Sequence, residues 1–139
     1  MIVKQIRLSE KAKDQLIRIK GRTGIQQWNI LCRWALCLSL QEPIPPVDDE
    51  IAADSNVEMT WQVFGGEYQE LYEALVIQRC VQDGLGTDPA TLAKQFRLHL
   101  HRGIAYMSAS NYIKSPLDLL KLALTENERL QAQGDENKV

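Results

Sequence analysis

Residues 6–24 read IRLSEKAKDQLIRIKGRTG, and this stretch places a strand signal directly before a helix signal. Apolar and polar residues alternate over 2–8, and a period of two predicts a short strand. Ser9 follows, where its side chain can accept a hydrogen bond from an otherwise unpaired amide of a first helical turn. Apolar residues at helical spacing then predict a helix over 10–20, which Gly21 ends.

A second helix is predicted over 24–40, with Thr23 and Gln26 in the spacing of a capping box at its start. This helix is apolar on most sides, and in a chain of 139 residues that suggests burial partly against another subunit. Strand, capped helix, glycine turn and second helix have the order of a ribbon-helix-helix protein. In that class two chains pair their strands, and outward strand residues, here Gln5 and Arg7, enter the major groove.

The middle of the chain carries turn and connection signals. The acidic, proline-rich segment 41–58 predicts an irregular connection, because proline disrupts both helices and central strands. The sequence MTWQVF over 59–64 then predicts a short strand. Gly65-Gly66 follows and predicts a turn before a helix over 67–81.

Two more helices are predicted in the last third of the chain. Asp88 and Pro89 have the N-cap and first-turn positions of a helix that passes Leu100, with an interruption expected at Gly103. A last helix is predicted to begin near Ser115. The predicted fold is a mainly α, compact helical domain with a short N-terminal strand and a ribbon-helix-helix-like N-terminal part, and it is oligomeric. Its predicted divisions are one domain over 1–125, made of a basic part (1–40), the connection (41–58) and a helical part (59–125), and a polar tail (126–139).

Positive charge is concentrated at the start of a chain whose formal net charge is −2. Residues 1–40 contain eight Lys and Arg against two acidic residues, a balance of +6, whereas residues 41–139 contain eight against sixteen, a balance of −8. Such asymmetry indicates either a docking surface for a polyanion or mutual neutralisation within the fold or between subunits. The composition leaves both interpretations open.

The basic residues of the first helix and its following loop are the best candidates for a functional surface. Five of them lie away from the apolar stripe: Lys11, Lys13, Arg18, Lys20 and Arg22. Contacts to DNA phosphates need accessible Lys and Arg but no base-specific geometry. These residues therefore predict a phosphate-binding surface.

Other chemistries have weaker support in the sequence. His99 and His101 are two residues apart, so on a helix they point in different directions and do not share a metal ion. Gly65-Gly66 precedes a helix, but no Lys-Ser/Thr pair follows and Glu67 would repel a phosphate. No fingerprint of a catalytic or cofactor site is present, so we predict no catalysis, no metal and no cofactor.

Hydropathy and cysteine usage argue against the membrane and secretory classes. The longest apolar run, over 30–40, is broken by Arg33 and is shorter than the roughly 20 residues of a membrane span. The first residues lack the apolar core of a signal peptide. Three cysteines show no framework spacing, which is typical of reduced, buried thiols in a cytoplasmic protein.

Three stretches resemble the DndE family of DNA phosphorothioation systems. They are IRLSEKAKDQLIRIKGRTGIQQWNILCRWALCLSL, then TWQVFGGEYQELYEALVIQRC, then FRLHLHRGIAYM, and the resemblance spans about residues 5–124. It implies a small protein of the machinery that replaces a non-bridging phosphate oxygen of DNA with sulfur.

The resemblance also implies an assembly and a ligand. We expect a homo-oligomer, a tetramer, that works with the other proteins of the phosphorothioation complex. We expect it to bind duplex DNA with a preference for nicks and to have no sulfur-transfer chemistry of its own. The family's basic surface maps onto Lys4, Lys11, Lys13, Lys20 and Arg22. With two further residues of the same basic run, the predicted DNA contacts are Lys4, Arg7, Lys11, Lys13, Arg18, Lys20 and Arg22.

Three functions are compatible with these observations, in decreasing order of support. The first is a non-catalytic DNA-binding accessory or scaffold protein of a phosphorothioation complex. The alternative is a ribbon-helix-helix transcription regulator that reads an operator through Gln5 and Arg7. The third is a small-molecule enzyme that uses the Gly65-Gly66 turn or His99 and His101.

Overall fold

The computed structural model describes residues 1–109, 115 and 117–118, and within them the protein is mainly helical, as predicted. The predicted last helix and polar tail lie outside these residues, apart from positions 115, 117 and 118. In chain order the elements are β1 (Gln5–Arg7), α1 (Glu10–Thr23), α2 (Trp28–Gln41), β2 (Glu58–Thr60), α3 (Trp61–Gly65), a 3-10 turn (Gly66–Tyr68), α4 (Gln69–Gln82) and α5 (Pro89–Ser108).

The two strands form a short antiparallel sheet within one chain. Ile6 of β1 pairs with Met59 of β2, and both side chains are buried. The flanking residues Gln5 and Arg7 are exposed, so the predicted alternation is confirmed. The predicted strand over 59–64 is wrong beyond Thr60, because the Thr60 side chain accepts a hydrogen bond from the Val63 amide at 3.1 Å and caps α3.

Both ends of α1 follow the capping rules, but the C-terminal end lies at a later glycine than predicted. The Ser9 hydroxyl accepts from the Ala12 amide at 3.0 Å, as predicted. Gly21 does not end the helix; Gly24 does, with φ of 76° and its amide bonded to the Lys20 carbonyl at 2.9 Å. The capping box predicted at Thr23 is also wrong, because its hydroxyl donates to the Ile19 carbonyl.

The core lies where α2 crosses α5, which is the largest contact between helices in the described part of the chain. The predicted N-cap at Asp88 is confirmed, since its side chain accepts from the Thr91 amide at 3.2 Å. Helix α5 runs without a break through Gly103, contrary to prediction, because that glycine packs against α2. Beside this crossing, the rings of Trp61, Phe64 and Phe96 pack in tilted and edge-to-face pairs at centroid distances of 5.3 Å.

The connection between α2 and β2 has no helix or strand, as the prolines predicted. Gly65-Gly66 forms a tight turn, in which Gly66 has φ of 58° and α4 begins three residues later. Among the described residues, no helix is long and apolar enough to cross a membrane.

Candidate nucleic-acid interface

Helix α1 exposes a surface with basic residues on its two sides and few along its middle. The buried stripe of Ala12, Leu16 and Ile19 fixes which side faces solvent. At about 100° per residue, positions seven apart lie nearly above one another. Lys11 and Arg18 therefore share one side with Arg22, which we name the α5-side flank (Lys11, Arg18, Arg22). Lys13 and Lys20 share the other side, the β2-side flank (Lys13, Lys20). The exposed ridge between the two flanks contains Asp14, Ile17 and Gly21.

The α5-side flank holds the least constrained cations. Lys11 and Arg18 are exposed, and their side chains contact no charged or hydrogen-bonding partner in the described part of the chain. Arg22 donates from Nη1 to the Ser108 carbonyl at 3.3 Å, at the C-terminal end of α5, where orphan carbonyls attract cations. Two of the three cations on this flank are therefore available to an anion.

The β2-side flank is engaged with neighbouring side chains. Lys13 Nζ donates to Asn56 Oδ1 at 2.7 Å and lies 4.0 Å from Glu10 Oε1. Lys20 Nζ lies 3.2 Å from the ring centroid of Trp28, a cation–π contact, and burial there lowers the pKa of Lys20. These contacts hold both ammonium groups in place near the start of β2.

The two predicted residues of the N-terminal strand region lie apart from α1. Arg7 is exposed and forms an ion pair with Glu58 across the sheet, Nη2 to Oε2 at 3.0 Å. Lys4 is exposed just before β1, and no partner of its side chain lies in the described part of the chain. The structure thus brings Arg7 near the β2-side flank through the strand pairing, and leaves Lys4 on its own.

The other described Lys and Arg side chains are bound by groups of the protein itself. Three arginines bind main-chain carbonyls: Arg33 those of Val63 and Phe64, Arg97 those of Arg7, Ile51 and Ala52, and Arg102 those of Ser39 and Ile44. Arg79 binds the carbonyls of Leu40, Pro43 and Ile44 and pairs with Asp83. Lys94 pairs with Asp48 at 2.6 Å. Sequence reasoning missed these roles, since nothing local in the sequence distinguishes a bound arginine from a free one.

The two histidines are structural. His99 is buried, with Nδ1 2.8 Å from the Ser39 hydroxyl, and burial followed by the charge of Arg102 lowers its pKa to about 4. His101 bonds to the Arg97 carbonyl at 2.9 Å and accepts from the Ser9 amide at 3.2 Å. The described residues contain no group of three or more His, Cys, Asp or Glu that fits a metal ion.

The thiols are not activated. Cys32 and Cys80 are buried and Cys37 is half-buried, and none of them forms a disulfide. Burial raises the pKa of Cys32 to about 12, and it also raises the pKa of Cys37 and Cys80. Because the thiolate is the nucleophile, these groups are unreactive near neutral pH.

The fold and this surface define a small, mainly helical protein in which the unpaired positive charge of the described residues lies near the N-terminus. The chain belongs to the DndE family, the DNA sulphur modification proteins, whose sequence profile matches residues 5–115. The family membership expected from the sequence is confirmed.

Solved structures support the same assignment. The crystal structure of DndE from Escherichia coli B7A, involved in DNA phosphorothioation modification, is 27% identical and superposes with a TM-score of 0.64, covering 77% of this chain and 98% of that one. A DndE G21/24K mutant, involved in DNA phosphorothioation, is 21% identical with a TM-score of 0.59, covering 76% of this chain and 99% of that one, and shares the fold. No curated protein matches the chain.

Proposed function

We propose that this chain is a DNA-binding accessory protein of DNA phosphorothioation, which contacts the phosphate backbone and performs no chemistry itself. The observation that carries the proposal is the division of its cations. Lys4, Lys11 and Arg18 have no described side-chain partner, whereas the described cations beyond residue 22 are all bound to carbonyls or carboxylates. A protein that neutralises its own acidic residues would pair its cations throughout the chain.

The arrangement of the two flanks suits backbone contacts better than base reading. The ridge of α1 between the flanks contains Asp14, whose charge opposes insertion into a groove lined by phosphates. The flanks lie on opposite sides of a helix about 10 Å across, so they can reach two backbone segments at once. Such contacts bind duplex DNA with little sequence preference.

The proposed preference for nicked duplex is supported by the position of the two flanks on opposite sides of α1. DNA that bends around α1 would contact both flanks, and bending an intact duplex costs on the order of 1–6 kcal/mol for a site of about 20–30 base pairs. A nick lowers that cost because one strand no longer resists the bend. The preference therefore comes from deformability and needs no code of base contacts.

The absence of intrinsic chemistry is supported by the state of the candidate nucleophiles and bases. Sulfur transfer needs a reactive thiolate or a persulfide donor, and burial raises the pKa of Cys32, Cys37 and Cys80. His99 is buried and His101 is bound on both nitrogens, so neither is positioned as a general base for a substrate. We assign the sulfur chemistry to other proteins of the complex.

Homo-oligomerisation, as a tetramer, is proposed from the outer side of α2. Ile30, Trp34 and Cys37 line a shallow groove of about 350 Å³ with Tyr72 and with Arg33, whose guanidinium is bound to the carbonyls of Val63 and Phe64, and Tyr68 and Leu71 of α4 are exposed. Contiguous apolar surface of this kind marks an interface. Light scattering should show that Trp34→Lys lowers the oligomer mass, whereas Val47→Lys, an exposed residue of the connection, leaves it unchanged. Equal masses would remove α2 from the interface.

The ribbon-helix-helix alternative is not favoured. In that class β1 pairs with β1 of a second chain and presents outward side chains to the groove. Here β1 pairs with β2 of its own chain, and the outward Arg7 is held by Glu58. The enzyme alternative has no support in the geometry of His99, His101 or Gly65-Gly66.

The decisive experiment is a competition gel with intact, nicked and single-stranded DNA at two salt concentrations. We expect nicked duplex to bind best, and binding to weaken steeply with salt. The triple charge reversal of Lys11, Lys13 and Lys20 to Glu should abolish binding, while Lys94→Glu, the same change on α5, should not. Circular dichroism checks that the variants fold. If the triple variant folds and still binds nicked DNA as well as the parent protein does, the proposal is contradicted.

A further inference from the structure

The start of β2, the start of α2 and the β2-side flank enclose a small groove with an aromatic wall. We name it the aromatic groove (Lys13, Trp28, Asn56, Val57, Glu58), and its volume is about 250 Å³. Pockets for drug-sized ligands measure roughly 300–1,000 Å³, so this groove is suited to a single small ring system. The phosphate contacts proposed above include Lys13 at the edge of this groove, but they use neither Trp28 nor Asn56, and the proposed subunit contact lies elsewhere.

Three cations surround the aromatic groove. Lys13 lines the groove directly. Lys20 lies over the ring of Trp28, and Arg7 forms an ion pair with Glu58, and both Trp28 and Glu58 line the groove. Glu58 and Glu10 offset part of this charge, since they contact Arg7 and Lys13 respectively. The balance around the groove is positive, which suits a ligand that carries a phosphate.

The walls of the groove offer stacking and hydrogen bonding together. Trp28 is only partly buried against the core and lines the groove, and Lys20 Nζ lies over one face of its ring. Asn56 is exposed and accepts from Lys13 through Oδ1, and no described residue accepts from its amide nitrogen. A planar ring that replaces Lys20 Nζ on the face of Trp28 would therefore find a donor beside it, and the displaced ammonium would join the cations around it.

We propose that the aromatic groove binds one unpaired nucleobase of DNA at a strand interruption, by stacking on Trp28. Every base has a π-face, so such stacking is tolerant of sequence, and each stacked base contributes about 1–3 kcal/mol. Lys13, Lys20 and Arg7 hold the adjoining phosphates. This inference rests on the proposed DNA-binding function and extends it, because a base that is paired and stacked in an intact duplex does not reach the groove.

The test compares three labelled duplexes: intact, nicked, and with a one-nucleotide gap that leaves one base unpaired. We expect Trp28→Ala to weaken binding to the gapped duplex by about tenfold and to leave binding to the intact duplex within about twofold. Trp28→Phe, which keeps a stacking ring, should recover most of the loss. Tyr106→Ala is the matched control, because Tyr106 is an exposed aromatic on α5 with Arg102 5.7 Å from its ring.

A second measurement uses the unchanged protein and does not depend on how a variant folds. We place 2-aminopurine as the unpaired base opposite the gap and follow its emission as protein is added. Stacking on Trp28 quenches that emission, and unchanged emission at saturation would overturn the inference.

The outcomes separate this inference from the proposed function. If the protein binds no DNA, the proposed function fails. If it binds all three duplexes, but Trp28→Ala behaves as Tyr106→Ala or weakens intact and gapped DNA equally, only the aromatic groove loses its role.

Discussion

Gly103 of α5 lies directly against the main chain of Ala35 in α2. A Cβ atom on Gly103 would be 1.7 Å from the Ala35 carbonyl oxygen and 2.9 Å from its Cα. Real Cβ atoms do not come so close to backbone, so only glycine allows the two helices to cross at this distance. Since both residues are buried at the largest contact between helices of residues 1–109, this pair sets how closely the core can pack.

Replacing Gly103 with Ala should therefore destabilise the protein. Overpacking a core costs about 1–3 kcal/mol, and we expect at least that loss here. The gain in helix propensity, up to about 1 kcal/mol, does not offset a clash with backbone. Gly21→Ala is the control, because Gly21 also lies inside a helix but a Cβ there meets nothing within 4 Å. Urea unfolding should show Gly21→Ala slightly stabilised and Gly103→Ala clearly destabilised; equal effects would contradict the close crossing.

The Arg79–Asp83 pair should be the most costly to break of the ion pairs in the described part of the chain. Both side chains are only 6% exposed, with Nε and Oδ2 2.9 Å apart, and Arg79 also binds carbonyls at the end of α2 and in the connection. Arg79→Met leaves a buried carboxylate and buried carbonyls unpaired, which costs about 3–5 kcal/mol. The measurement is the free energy of unfolding in urea.

The surface pair Arg7–Glu58 provides the matching control. Its side chains are 49% and 40% exposed, although its N–O distance of 3.0 Å is nearly the same. Arg7→Met should cost less than about 1 kcal/mol, because solvent screens the charges. If Arg7→Met and Arg79→Met lowered stability equally, burial would not be the cause of the difference.

Local signals in the sequence predicted local structure well. Ser9 and Asp88 cap their helices because the bond joins residues three apart, and such bonds need no tertiary context. The alternation around Ile6 predicted β1 for the same reason. Gly21 was mistaken for the end of α1, because a glycine ends a helix only where the chain needs positive φ, and that is at Gly24.

Tertiary contacts were not visible in the sequence. The sequence MTWQVF predicted a strand, yet Trp61 and Phe64 are buried together on α3. A short apolar run does not distinguish a strand from a buried helix segment. The split of the basic residues into two flanks needed the orientation of α1 in the fold. Arg97 binds carbonyls that are 46 and 90 residues away in sequence, and no local sequence pattern predicts such contacts.

Stability should fall as the pH drops below about 6.5, because His99 resists protonation in the fold. Burial, with the charges of Arg102 and Arg79, lowers its folded pKa to about 4 from an ordinary value of 6.5. The unfolded chain therefore takes up a proton first, so the stabilisation is complete above pH 6.5 and is lost towards pH 4. The expected slope is about 1.4 kcal/mol per pH unit in that window.

Urea unfolding at pH 7, 6 and 5 measures this slope. His99→Gln should reduce it, and the remaining part belongs to His101, whose pKa burial also lowers. The chain has only these two histidines, and most carboxylates titrate at lower pH. Equal stability of the parent at pH 7 and pH 5 would contradict the assignment of His99 as a buried neutral group.

The salt dependence of DNA binding should distinguish the two flanks of α1 residue by residue. A cation that neutralises one phosphate contributes about 0.9 to the slope of log K against log salt concentration. Lys11→Gln and Arg18→Gln should each lower the slope by about that amount, because these side chains have no partner in the described part of the chain. Lys13→Gln should lower the slope less, because the Lys13 ammonium must first break its hydrogen bond of 2.7 Å to Asn56.

Fluorescence anisotropy with a nicked duplex at four salt concentrations measures each slope, with Lys94→Gln on α5 as the reference variant. A Lys94→Gln slope reduced as much as that of Lys11→Gln would show that net charge, and not the surface of α1, sets the affinity.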